Sequence, residues 1–234
     1  MYQDPHNPLL VLLKFGTEEH MKSLLKEGAM YFETLKYFRD LDDGGELRGD
    51  PNEALSEIYH GPLIDKLTMT TADGITYDLL DPKNGMIPER LEIRFSAAEQ
   101  LNVFCSYAVT PRSIYIDPRC LKFGTHAVLI RDWREFFKRV HLASKRDGTF
   151  QAFTGDMVRY VEDGVHTGEF APFCKYKPYA YQSELRLVLS PPPPVGKPFM
   201  LRVGSLEDIA ELCVSAELNN NLSIDYNLLP STVP

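Results

Sequence analysis

Apolar residues in this chain come in short runs. The longest uninterrupted one, Leu9 to Leu13, is five residues, against the roughly 20 a membrane helix needs. An unalternating run of that length, followed by Lys14 and Phe15, suits a strand buried on both faces. Helical periodicity is confined to a few places. Thr17 can cap a helix in which Met21, Leu24 and Leu25 fall at i, i+3 and i+4, and Gly28 can close it. Thr34 can cap a second, short helix carrying Leu35, Phe38 and Leu41. Asp132 can cap a third with Trp133, Phe136, Phe137 and Val140 on one face, the clearest amphipathic stripe in the chain.

The remaining apolar segments read as strands: Met30 to Phe32, Asn102 to Val109, Ala127 to Ile130, short stretches near Phe150 and Val158, and Phe199 to Val203. Residues 63–96 read as a β-meander with strands at Leu63 to Met69, Ile75 to Leu80 and Leu91 to Phe95, separated by Ala-Asp-Gly and Asp-Pro-Lys-Asn-Gly turns. From Glu184 the residues alternate, with Leu185, Leu187 and Leu189 on one face and Glu184, Arg186 and Val188 on the other. Four prolines, 191–194, end that strand, and a short helix is expected from Ser205. Strands outnumber helices, which predicts an α+β fold with mainly antiparallel sheets, in one domain spanning 1–234. Residues 42–57 are expected to form a long polar, mobile loop, since from Arg39 to Glu57 the chain carries seven acidic and two basic residues.

Across 234 residues, 25 basic face 33 acidic side chains, a net charge of −8. A protein built mainly to grip duplex DNA is usually basic, so any such contact must use a local patch. Cys105, Cys120, Cys174 and Cys213 are widely spaced and form no C-x-x-C, as expected of buried reduced thiols in the cytoplasm. The amino terminus lacks the basic start and apolar stretch of a signal peptide. No P-loop, G-x-G-x-x-G after a strand, G-x-S-x-G elbow or H-E-x-x-H is present, and the six histidines are never at ligand spacing.

Several constellations can carry chemistry. In Tyr181-Gln182-Ser183-Glu184-Leu185-Arg186, a strand would present Gln182 and Glu184 into one cleft, or simply form a solvated face with a Glu–Arg pair. Lys14-Phe15-Gly16-Thr17 makes a tight strand-to-helix turn where a glycine lets a ligand approach the backbone. It is equally an ordinary turn of its kind. Tyr31, Phe32, Tyr37 and Phe38 can build a stacking floor or a piece of core. Ser106 in Phe104-Cys105-Ser106-Tyr107 is either a satisfied buried hydroxyl or a ligand donor. Arg48, in a glycine-containing loop with Asp50 and Glu53, can grip a phosphate. Lys175 and Lys177, interleaved with Tyr176, Tyr179 and Tyr181, suit nucleic-acid contact or a solvated face.

In this order the pieces resemble the ADP-ribosyltransferase superfamily. Phe15-Gly16-Thr17 followed by Ser23-Leu24-Leu25-Lys26-Glu27-Gly28 is similar to that family's first motif, with Phe15, or Lys14 one residue earlier, where the family has histidine or arginine. Ser106 matches the middle motif, and Gln182-Ser183-Glu184 resembles the Gln-x-Glu motif bearing the catalytic glutamate. The chain also resembles prokaryotic proteins linked by analogy with toxin–antitoxin and anti-phage systems.

The resemblance implies a split, two-sheet, mainly antiparallel fold with NAD as co-substrate in the cleft. Glu184 would bind the nicotinamide-ribose 2′-hydroxyl and stabilise an oxocarbenium-like transition state, Gln182 would position the acceptor, and Ser106 would brace Glu184. Tyr31 and Tyr37 would sandwich the nicotinamide, the backbone of Phe15, Gly16 and Thr17 would read its amide, and Arg48 or Lys14 would meet the pyrophosphate. The acceptor would be a nucleic acid or a protein, and a cognate antitoxin a further partner. Glu184→Ala is expected to fold normally and lose transfer. The competing expectation is a non-enzymatic antitoxin, immunity or inhibitor protein on a degenerate version of the fold. A metal-dependent nuclease using Asp50 and Glu53 is a third.

Overall fold

The computed structural model describes residues 7–41, 48–79, 89–148, 152–190 and 196–220. The first strand, β1 (Val11–Gly16), turns at Thr17 into α1 (Glu18–Glu27), and the Thr17 hydroxyl oxygen accepts from the His20 N–H. Gly28 ends the helix at φ 62° with its N–H on the Leu24 carbonyl. A Cβ there would also lie 2.1 Å from the Gly204 carbonyl oxygen, so glycine is required both for the turn and for that approach. β2 (Ala29–Thr34) leads into α2 (Leu35–Asp40), capped by Thr34 as its sequence predicts.

β3 (Glu57–His60), β4 (Thr68–Thr70), β5 (Thr76–Asp78), β6 (Arg90–Ile93) and α3 (Ser96–Glu99) follow. Then come β7 (Asn102–Val109), α4 (Pro118–Leu121), β8 (His126–Ile130) and α5 (Trp133–Asp147). The remainder is β9 (Ala152–Met157), β10 (Arg159–Val161), β11 (Gly168–Glu169), β12 (Cys174–Tyr176), β13 (Glu184–Ser190), β14 (Phe199–Arg202) and β15 (Ala210–Val214).

The architecture is α+β and mainly antiparallel, built around one eight-stranded sheet with β7 as its hub. β13 runs along one edge of β7, pairing with residues 102–107, and β9 flanks β13. The other edge of β7 is shared. β2 pairs with Asn102 and Val103, whereas β1 pairs with Tyr107, Ala108 and Val109. The sheet therefore forks beside Phe104, Cys105 and Ser106, with β14 beyond β2 on one branch and β8 and β15 beyond β1 on the other.

Strand alternation sorts the side chains onto two faces. Leu12, Phe104, Ala108, Leu185, Leu187 and Leu189 face α1 and α5 and pack with Leu24, Phe136 and Val140. Each fully buried Leu or Phe stabilises by about 1.5–3 kcal/mol. Phe32 stacks on Phe199 at 5.1 Å between centroids, tying β2 to β14. On the opposite face Leu13, Phe15, Tyr107 and Val109 pack with Ile116 and Cys120.

Three expectations are corrected. Residues 63–96 are not one meander: β4 and β5 form their own hairpin, while β6 pairs with β3, which in turn pairs with β11. The segment after Ser205 makes a turn and then β15, an edge strand on β8, rather than a helix. Residues 48–57 are not a mobile loop, because Asp50, Glu53, Ala54, Leu55 and Ser56 are buried. The acidic stretch 42–47, the Asp-Pro-Lys-Asn-Gly turn, the strand at Phe150 and the proline run lie outside the described residues. Among the described residues no helix is long and apolar enough to cross a membrane.

Candidate functional site

Residues Lys177–Gln182 form a 3-10 turn, and Ser183 then adopts a left-handed conformation at φ 39°. Its hydroxyl donates to the Ala108 carbonyl at 2.8 Å, fixing the entry of the chain into β13. Gln182 therefore closes the turn instead of opening the strand, while Glu184 and Arg186 share the face of β13 turned away from α1 and α5. The Glu184 N–H donates to the Tyr160 hydroxyl oxygen at 2.9 Å.

Glu184 is only 6% exposed and belongs to a buried charge cluster. Arg186 Nε donates to Glu184 Oε1 at 2.7 Å, and Arg186 Nη1 donates to Glu53 Oε2 at 3.0 Å and to the Pro172 carbonyl at 2.6 Å. A further Arg186–Glu53 contact completes a fork-to-fork pair. Lys175 Nζ lies 3.0 Å from Glu53 Oε1 and 3.1 Å from Glu184 Oε2, and it donates to Gln182 Oε1 at 2.8 Å. These two carboxylates and two cations sum to zero charge, the condition under which such a group tolerates burial. Burial pushes the Glu184 carboxyl up, but the Arg186 and Lys175 charges outweigh it and hold it below the usual carboxylate range.

Glu53 reaches the cluster because segment 48–57 is pinned from several sides. The Asp50 N–H bonds the Phe38 carbonyl, the Glu53 N–H bonds the Asp50 carbonyl, and the Ser56 and Phe170 N–H groups bond Ile93 and Ser56 carbonyls. Leu55 and Ile58 then bury against Phe170, Cys174 and Tyr176. Asp50 accepts from the Asn52 N–H through Oδ1, while Oδ2 is buried without a hydrogen-bond partner among the described residues. Burial, reinforced by the Glu53 charge, raises the Asp50 carboxyl above its ordinary value.

At the fork, Lys14 Nζ donates to the Cys105 carbonyl at 2.7 Å and sits 4.2 Å from the Phe104 ring centroid. Burial holds the Lys14 ammonium below its ordinary pKa, with Arg48 acting the same way and Glu184 against it. Burial and the Glu184 charge push the Cys105 thiol up to about 12. Arg48 Nη2 donates to the Phe123 carbonyl at 2.6 Å, close to the Phe15–Phe123 ring pair. The fork thus brings Lys14 and Cys105 within electrostatic reach of Glu184, with Arg48 in turn within reach of Lys14.

Other expected site residues lie elsewhere. Ser106 pairs with Leu185 and so faces the α1 and α5 side, away from Glu184, with its Oγ buried and unpartnered among the described residues. It does not brace Glu184. Tyr31 projects outward from β2 and donates to Glu33 Oε2, and Tyr37, also exposed, meets Phe38 edge-on at 5.4 Å. Burial and Glu33 raise the Tyr31 phenol, and the two hydroxyls are near enough for Tyr37 to add to that rise. Phe15 is a core side chain against Tyr107 and Phe123, and Thr17 is engaged as the helix cap. Gly16 sits in the β1–β8 ladder, and a Cβ on Gly124 would lie 2.2 Å from its carbonyl oxygen, so backbone covers that side of the turn.

The sequence offers Asp50 and Glu53 only as nuclease carboxylates, and Lys175 only as a nucleic-acid contact or a solvated face; the pairing of Glu53 with Lys175 and Arg186 and the burial of Lys175 have no local pattern. The one available signal was Asp50-Pro51-Asn52-Glu53, whose turn propensity hides its burial. Among the described residues no group of three or more His, Cys, Asp or Glu side chains could hold a metal ion. No protein-family model, curated protein or solved structure matches the chain.

Proposed function

We propose that the chain is a mono-ADP-ribosyltransferase that moves ADP-ribose from NAD to a nucleic acid or protein acceptor, as a toxin or anti-phage effector with a cognate antitoxin. The observation that carries this reading is an ionised Glu184 beside a forked sheet, with the cations Lys14 and Arg48 drawn to the same fork. The fork supports a split two-sheet ADP-ribosyltransferase-like fold. In this reading Glu184 meets the nicotinamide ribose and the cationic transition state, Lys14 and Arg48 meet the pyrophosphate, and Gln182 faces the acceptor. Preorganised charge of this kind typically contributes 10²–10³-fold in rate when one group is removed. The unpaired cysteines accord with a cytoplasmic setting.

The test is incubation with labelled NAD and a mixture of protein, single-stranded DNA and RNA. Label should enter one fraction and fall at least about a hundredfold with Glu184→Gln, a variant whose folding is checked by circular dichroism. Glu184→Ala is the poorer choice, since it strands Lys175 and Arg186 beside a void and is not expected to fold normally. Absence of NAD turnover with every acceptor, or undiminished turnover in Glu184→Gln, sinks the reading.

A second reading draws on a specific observation: both Glu184 carboxylate oxygens are already committed to Arg186 and Lys175. That suits a structural brace in a non-enzymatic antitoxin, immunity or inhibitor protein. Calorimetric titration with NAD separates the two, because the brace gives no heat.

A further inference from the structure

A cavity of about 820 Å³ opens between the turn after β7, the β9–β10 junction and the 3-10 turn before β13. Its volume falls in the roughly 300–1,000 Å³ range of small-molecule sites. Tyr107, Tyr160 and Tyr181 line it, and Tyr115 stands at its edge 61% exposed, with no ring contact to any described residue. Arg112 and Arg159 also line it, and neither guanidinium makes a hydrogen bond or ion pair with a described residue. Asp117 is already chelated by Arg119, at 2.9 and 2.8 Å. Asp156 uses Oδ1 for the Met157 N–H and contributes a further acceptor oxygen.

Tyr107 packs against Phe15, and Arg119 already lies over the Tyr181 ring at 3.7 Å, so the open face is the exposed Tyr115 ring, and such a face beside unpaired guanidinium groups suits a planar base joined to a phosphate. We propose that this cavity binds a nucleotide, its base against Tyr115, its phosphate at the arginine rim and a base N–H on Asp156. The Tyr160 hydroxyl contacts the Glu184 N–H, so the bound nucleotide adjoins the carboxylate cluster. The inference stands whether or not the chain transfers ADP-ribose.

The experiment is isothermal titration of the full chain with adenosine and thymidine 5′-monophosphates, the two nucleosides, inorganic phosphate and 5′-phosphorylated hexathymidylate. At least one monophosphate should bind, with its nucleoside and free phosphate each at least about tenfold weaker, the scale of one charge-assisted hydrogen bond. Arg112→Gln combined with Arg159→Gln should weaken the monophosphate by at least that factor and leave the nucleoside unchanged. Tyr115→Ser should weaken both. All three positions are exposed, so the fold is retained. Tighter binding of the oligonucleotide than of the monophosphate assigns the site to a strand end, and equal binding to a free nucleotide. Phosphate binding as tightly as the monophosphates, no binding of either monophosphate, or wild-type affinity in the arginine variant overturns the proposal. The titrations contain no NAD, so failed NAD turnover leaves their outcome intact.

Discussion

Replacing Glu53 with glutamine removes one of the two carboxylates between Lys175 and Arg186. Glu53 is 3% exposed, lies 3.0 Å from Lys175 Nζ and takes two contacts from Arg186. The cluster then changes from zero to +1 where water cannot screen the excess. Removing one partner of a buried ion pair costs about 3–5 kcal/mol, a large share of the ~5–15 kcal/mol that holds a typical domain together. Adding Lys175→Met to Glu53→Gln restores neutrality and leaves Arg186 with Glu184. The double variant should therefore lose clearly less than the two single losses added together. Urea denaturation followed by far-UV circular dichroism measures all three. A Glu53→Gln loss under about 1 kcal/mol, or strict additivity in the double variant, refutes the picture of a mutually compensated cluster.

Ser106→Ala removes a buried hydroxyl that has no hydrogen-bond partner among the described residues, so it should leave the melting temperature unchanged or slightly raised; a substantial drop in thermal unfolding would show that the hydroxyl is engaged. Gly124→Ala drives a methyl to 2.2 Å from the Gly16 carbonyl oxygen, whereas Gly16→Ala meets the flexible end of Met21 at 2.7 Å. Urea midpoints should show Gly124→Ala the more damaging, by about 1–3 kcal/mol of overpacking, and the reverse order would contradict the close approach. The depressed Glu184 carboxyl stabilises fully above the unfolded value of about 4.3 and loses that contribution as pH falls through the folded value. Asp50, raised by burial and the Glu53 charge, carries the opposite sign, but Lys175 and Arg186 offset part of that rise. The urea midpoint should therefore fall below about pH 4, and Glu184→Gln should flatten that acid limb; a midpoint rising on acidification would reverse the assignment.

The elements legible in the sequence are those whose signals are local. α1 and α5 carry their own caps and stripes, and β13 its own alternation, so Thr17, Asp132 and the Leu185–Leu187–Leu189 series act where their spacing says. The pairing of β6 with β3 and of β15 with β8 joins segments that share no local pattern. The aromatic group at 31–38 divides for a related reason. The chain changes from strand to helix at Thr34, so Phe32 turns into the core while Tyr31 and Tyr37 face outward on different elements.

Parity explains the rest of the candidate site. Glu184 and Arg186 share a face because they are two apart in one strand, which the sequence displays. Whether Ser106 shares that face depends on its register against β13, and the observed Leu185–Ser106 pairing puts it on the other side. Lys14 follows Leu12 by two residues and so also belongs to the side of α1 and α5. In an unbroken sheet, β7 would separate its ammonium from the Glu184 carboxylate. The two sense each other because β1 and β2 part company along one edge of β7, exposing the Cys105 carbonyl that Lys14 takes. That fork arises from how three distant strands divide one edge, and no window of sequence encodes it.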